Sequence, residues 1–165
     1  MVVKHGDPGN KIALQRFSPL YLISNTPKGR GVYAGREISS GTTIDVCAVL
    51  VLDPTENTEH VGKTNLYNYT YNWPSIRPNG TSTKTQAVVF GLGSMFNHSS
   101  EDQNVGWMRD LENELVVYRA VRDIREGEEL CISYGDSLTF VDVDAPSRKD
   151  DNEVAEDLLA KFDLA

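Results

Sequence analysis

Hydrophobic and polar positions alternate over short stretches of this chain, and clusters of Gly, Pro, Asn and Ser interrupt them. Tyr21-Leu22-Ile23 runs into the turn cluster Asn25-Thr26-Pro27-Lys28-Gly29, and Val32-Tyr33-Ala34 follows. Ser39-Ser40-Gly41 marks a second turn before a β-rich run from Thr42 to Leu52. Residues 53–66 are polar and predict a loop. Asn65 to Trp73 alternates aromatic and polar residues, and Pro74 to Thr85, rich in Pro, Gly, Ser and Thr, predicts an irregular connection. Ala87 to Phe90 predicts a short buried segment that passes Gly91 and Gly93 and ends in Asn97-His98. Leu115 to Tyr118 predicts a strand, Arg122 to Glu129 a turn region and Leu130 to Tyr134 a last short strand. The period then changes. Val154, Leu158, Leu159, Phe162 and Ala165 recur at helical spacing behind a capping pair, Asp150 and Glu153, which predicts a C-terminal amphipathic helix. Short strands with turns every ~8–12 residues predict a mostly β domain with short helices, not a parallel α/β sheet.

One pattern occurs twice. Arg36-Glu37-Ile38-x-x-Gly41-x-x-Ile44 is echoed by Arg122-Asp123-Ile124-x-x-Gly127-x-x-Leu130. Each copy follows a predicted strand, turns at a glycine suited to positive φ, and enters another apolar run. The echo reflects either a shared structural role or the chance convergence of two turns.

Composition narrows the function. The 165 residues suffice for one domain with a real core. Twenty-four acidic against 16 basic residues give a net charge of −8, which argues against direct nucleic-acid binding through phosphate contacts. The charge is concentrated: residues 136–165 hold nine acidic and three basic residues. Such a segment either attracts a basic partner or serves only to solubilise. No apolar run approaches the ~18 residues of a membrane span, and the amino terminus lacks the apolar core of a secretory signal. An intracellular protein, nuclear or cytoplasmic and not secreted, is expected. The Asn-x-Ser/Thr matches at Asn68, Asn79 and Asn97 then carry no glycosylation. Cys47 and Cys131 form neither a disulfide framework nor a zinc motif, and His5, His60 and His98 lack partners at ligand spacing, so no metal is expected.

Common catalytic signatures are missing: Gly91 to Phe96 fails the dinucleotide fingerprint, and there is neither a nucleophile elbow nor a phosphate loop. Three pieces remain. Lys28 to Ala34 is a glycine-flanked turn where a ligand can approach the backbone. Phe96-Asn97-His98-Ser99, with Asn104 beyond it, sets an amide beside an imidazole. Glu128 to Gly135 ends a strand on Tyr134. Taken singly, these are a simple turn, a satisfied core histidine and a packed aromatic.

In this order and at these separations, GRGVYA, FNHS and GEELCISYG resemble the SET-domain family of protein-lysine methyltransferases over residues 18–136. The resemblance implies small curled β-sheets around a pseudo-knot in which the Asn97-His98 and Tyr134 segments pass each other. Residues 1–17 would be an N-terminal extension, and 137–165 an acidic segment with the helix. It implies S-adenosylmethionine as cofactor, with S-adenosylhomocysteine as product, held by Arg30, Gly31, Tyr33, Phe96, Asn97, His98 and Tyr134. Tyr134 would be the catalytic residue where donor and lysine meet.

This chain departs from the family in places. Cys47 stands near a position where many members carry a tyrosine, and Tyr69 or Tyr71 would supply that wall unless both are packed core. Ile132 replaces an aromatic that tunes how many methyl groups fit, and Trp107 would fill the same space. The cysteine-rich zinc segment that follows the domain in many members is absent, so the 150–165 helix, from this chain or a homodimer mate, would close the site. The expected function is methyl transfer to a lysine of a basic protein, histone by default. The alternative is an inactive SET-like module that binds a basic peptide.

Overall fold

A computed structural model describes residues 12–76 and 80–134. The C-terminal helix expected over 150–165, with its closing and dimer roles, lies outside the described residues. Nine strands and one short helix are present among those described: β1 (Leu20–Thr26), β2 (Gly29–Ala34), β3 (Thr43–Val51), α1 (Pro54–Glu59), β4 (Thr70–Ile76), β5 (Ser82–Phe90), β6 (Asn97–His98), β7 (Val105–Asp110), β8 (Leu115–Ala120) and β9 (Cys131–Ile132). They form a β1-β2 hairpin, a five-stranded sheet in the order β4-β5-β3-β8-β7, and a small β6-β9 pair. The expected mostly β architecture of small sheets is what forms.

The sheet buries alternate residues of its central strands. In β3, Ile44, Cys47 and Val49 point into a core shared with Val116 and Tyr118 of β8 and Ala87 and Val89 of β5. Two expectations fail at the sheet edge. Pro74 to Thr85 is no irregular connection, because β4 and β5 pair from Thr70↔Val88 to Ile76↔Ser82. Pro74 is tolerated since β4 is an edge strand that needs no donor on its outer side. Residues 53–66 are no plain loop either. Asp53 caps α1 by accepting from the backbone of Thr55 and Glu56, Pro54 occupies the first turn, and 3₁₀ turns at Val61–Lys63 and Asn65–Tyr69 follow. A polar helix without an apolar stripe leaves only its cap as a signal. β7 escaped the hydrophobic pattern because Gly106 and Arg109 break the alternation.

The two echoed units pack on each other. Ile38 and Ile124 exchange both backbone hydrogen bonds at 2.9 Å, and the flanking bonds repeat in kind. Gly41 N donates to Ala120 O and Gly127 N to Ala34 O, both at 2.8 Å, while Ala34 N donates to Glu128 O and Ala120 N to Thr42 O. Gly41 and Gly127 have φ of 80° and 79°, the left-handed region in which a side chain is strained. The repeat is therefore a reciprocal contact with a shared structural role. It draws the end of β2 and the start of β9 together, which is where the three sequence pieces meet.

Candidate active site

β6 and β9 run parallel, with Asn97 opposite Cys131 and His98 opposite Ile132. The chain after β6 folds back onto the same strand: Ser99 N donates to Ile132 O at 3.1 Å and Asn104 N to Cys131 O at 3.2 Å. Asn104, almost wholly buried, holds this crossing with its side chain. Its amide nitrogen donates to Glu129 O (2.7 Å) and Glu128 Oε1 (2.9 Å), and its oxygen accepts from Cys131 N (2.8 Å). Arg122 completes the support at Glu128. Burial pushes the Glu128 carboxyl up, but Arg122, the Arg125 backbone and Asn104 outweigh it and hold it at about 2.

Around this crossing the predicted residues converge. Asn97 Nδ2 donates to Arg30 O on β2 (2.9 Å) and to Glu129 Oε1 (2.7 Å). Its Oδ1 accepts no hydrogen bond from the described residues. A Cβ on Gly31 would meet the Glu129 carboxylate and the Tyr33 ring, so any larger residue there must push the Glu129 side chain aside. Burial, with the adjoining Glu129 carboxylate, pushes the Tyr33 phenol up. Lys28 Nζ donates to His98 O (3.0 Å). Tyr134 is held at both ends: its backbone N–H donates to His98 Nδ1 (3.1 Å) and its hydroxyl to Phe96 O (2.7 Å). Burial pushes its phenol up to about 12, with Cys131 and Tyr69 adding to the effect. The Phe96 ring is fully buried, 5.2 Å edge-on to Tyr118, so Phe96 meets the site only through its carbonyl.

Tyr134 forms part of a cavity of about 220 Å³ whose lining includes Tyr69, Tyr71, Gly93, Trp107 and Arg109. Tyr71 donates to Gly93 O (2.8 Å) and meets Trp107 edge-on at 5.1 Å. Trp107 Nε1 in turn donates to Ser133 O at 3.3 Å. Tyr69, the last residue of its 3₁₀ turn, has its hydroxyl 3.4 Å from the Arg30 guanidinium. Tyr69 and Tyr71 therefore share one wall, two positions apart where the 3₁₀ turn gives way to β4. Cys47 is buried elsewhere in the core, so close to Gly91 that a Cβ there would strike its sulfur; burial pushes the thiol up to about 12.

Ile132 is the exception among Tyr69, Tyr71, Trp107 and Ile132, the residues expected to line the lysine-binding space. It is fully buried in the core and does not line the cavity. The period-2 rule that would place it on the side of Tyr134 stops where β9 ends, at Ile132 itself. Sequence reasoning gave no task to Glu129, whose polar neighbour Asn97 lies far away in the chain, or to Arg109.

A family model described as SET domain matches residues 29–135. The chain belongs to the SET-domain family of lysine methyltransferases. Over 141 residues it is 41% identical to "Histone-lysine N-methyltransferase, H3 lysine-37 specific" of Schizosaccharomyces pombe, covering 85% of this chain and 90% of that protein. Among solved structures it resembles a Plasmodium falciparum chain described as a candidate histone methyltransferase, with TM-score 0.52, 23% identity, and coverage of 74% of this chain and 96% of that one. It also resembles CpSET8 from Cryptosporidium, with TM-score 0.55, 26% identity and coverage of 73% of this chain and 59% of that one. The SET match contains all three motif pieces and both echoed units. The enzyme class is thus protein-lysine N-methyltransferase, a class that uses S-adenosylmethionine. No helix among the described residues is long and apolar enough to cross a membrane.

Proposed function

We propose that this enzyme methylates a lysine of histone H3, with the aromatic cavity receiving the lysine side chain and Tyr134 at the point of transfer. The observation that carries this reading is Tyr134 itself, fixed between Phe96 O and His98 at a cavity walled by Tyr69, Tyr71 and Trp107. The relative named for H3 lysine 37 supports the substrate, and the acidic excess over 136–165 suits a basic tail. A histone substrate places the work in the nucleus. On this reading the domain spans 18–136, with flanking segments 1–17 and 137–165.

The residues fit a methyl donor that carries an ammonium group. The open Asn97 Oδ1 and the neighbouring Glu129 carboxylate offer it an acceptor and a negative charge, and Gly31, itself buried, leaves the space beside its backbone that the Glu129 carboxylate occupies. Arg30, Gly31, Tyr33, Asn97, His98 and Tyr134 would hold the donor, Phe96 contributing through its carbonyl. When bound, S-adenosylmethionine supplies a methyl carbon on a positively charged sulfur, the C–S bond breaking as the N–C bond forms and S-adenosylhomocysteine being left. The cavity residues must present a neutral amine in line with that carbon. With a free lysine pKa near 10.4, deprotonation at pH 7 costs about 4.6 kcal/mol. An aromatic wall lowers this cost because desolvation penalises the ammonium. The Tyr134 hydroxyl orients the amine. Because its phenol is raised to about 12, it stays protonated and is no base near neutrality.

Two expected results follow. Asn97→Ala should weaken binding of the methyl donor by about 1–3 kcal/mol, the cost of losing a hydrogen bond to a charged group. Isothermal titration measures this, and unchanged affinity would put Asn97 outside the donor site. Single-turnover rate should rise from about pH 7 to about pH 9, because the substrate ammonium loses its proton in that direction while Tyr134 does not titrate. A flat profile with chemistry rate-limiting would contradict the deprotonation step. The function itself is tested by transfer of labelled methyl groups to recombinant core histones, with mass spectrometry of the modified lysine. Labelled H3 is expected; donor binding without transfer to any lysine-bearing protein would mark the inactive peptide-binding module instead.

A further inference from the structure

Arg109 lies on the cavity wall, and neither the donor site nor the aromatic packing requires a cation there. Its guanidinium carbon sits 4.6 Å from the centroid of Trp107, so the ring face offsets part of the cost of placing a charge in this wall. Its Nε is buried and has no hydrogen-bond partner. The ion pairs among the described residues are Arg16–Asp45 and Arg122–Glu128, neither of which involves Arg109. Burial lowers its pKa and Tyr71 opposes that, but a guanidinium stays charged at any pH of interest.

Among the described residues, the groups lining the cavity do not cancel this charge. Tyr69, Tyr71 of β4 and Tyr134 after β9 line the cavity; burial raises the phenols of Tyr71 and Tyr134, and Tyr118 of β8 packs behind Tyr71. Cys47 on β3 is a neutral thiol. Asp45 on β3 is engaged by Arg16, the Leu92 backbone N–H and the Cys47 thiol. The other cation in reach of the wall, Arg30, adds to the same sign through its contact with Tyr69. No carboxylate is among the described residues lining the cavity.

We infer that Arg109 disfavours the ammonium of the lysine in this cavity, biasing it toward the neutral amine that accepts the methyl group. This rests on the reading that the cavity takes the lysine. The ammonium gives its proton to water, the N–H electrons become the nitrogen lone pair, and that pair forms the N–C bond as the C–S bond breaks. Two like charges ~7 Å apart, at an effective dielectric of about 20, displace the equilibrium by about one to two pH units. Arg109 is thus a residue that sets the pH range of transfer, in a wall where a neutral side chain would satisfy packing alone.

The test uses the full chain, recombinant histone H3 as acceptor and single-turnover rates from about pH 7 to about pH 10. Arg109→Gln should move the rising limb upward by about one pH unit and lower the rate near pH 7 about tenfold, with the loss shrinking toward pH 10. Arg109→Lys, which keeps the charge, should retain the wild-type limb even where its absolute rate changes. A purely structural role would scale the Gln profile without moving it, and that result overturns the inference. Denaturant midpoints of both variants separate misfolding from the electrostatic effect. Tyr134→Phe in the same assay separates the two levels. If it is crippled while the Gln profile stays put, only the role of Arg109 falls. If it turns over like wild type, the reading of the cavity fails and the inference falls with it.

Discussion

Replacing Tyr134 with Phe should lower turnover by about 10²-fold or more while changing donor affinity only a few-fold. The hydroxyl is the polar group that Tyr134 brings to the cavity, and its bond to Phe96 O fixes the angle of the ring. Removing one preorganised polar contact at a reacting centre commonly costs ~10²–10³ in kcat. Donor affinity should survive because the backbone N–H of Tyr134 still reaches His98, and the Asn97 contacts to Arg30 and Glu129 do not involve the hydroxyl. Labelled-methyl kinetics paired with titration calorimetry reads both quantities. Turnover within twofold of wild type would remove Tyr134 from the chemistry.

Asn104→Ala should be the most destabilising single change around the site, by about 3–5 kcal/mol. The side chain satisfies the N–H of Cys131 and the carbonyl of Glu129 in a place that water does not reach. Each buried group left unpaired costs about 1–3 kcal/mol, and the hydrogen bond to the Glu128 carboxylate is lost as well. Against a typical domain stability of about 5–15 kcal/mol this is a large share. Urea denaturation should show a lower midpoint with an unchanged slope, as expected when the native state alone is affected. Asn104→Asp should recover little. It keeps the acceptor for Cys131 but sets a second carboxylate against Glu128. A midpoint close to wild type would mean that the crossing is held by its backbone hydrogen bonds alone.

Stability and chemistry meet in the 97–104 segment. One end carries Asn97 and His98, which we propose face the methyl donor, and the other end, Asn104, locks the crossing. Loosening Asn104 should therefore also blur the position of Tyr134, whose backbone is tied to His98.

Features that depend on local pattern could be read directly from the order of residues. The glycine turns at Gly41 and Gly127 were legible because positive φ strongly favours one residue type. Strands β2, β3 and β8 were legible as short apolar, β-rich runs bounded by turn residues, and the three motif pieces named the family from their order. Features that depend on partners far away in the chain emerged only once it was folded. Folding joined the two echoed units into one reciprocal contact, and it put Glu129 against Asn97. It brought Tyr69 and Tyr71 onto one cavity wall at a junction of two periods, and buried Ile132 where the strand period ended. It also set Arg109 over the Trp107 ring with no ion pair to another described residue. Side-chain direction follows from the local backbone, but what a side chain meets there depends on strand order and register, which short patterns do not carry.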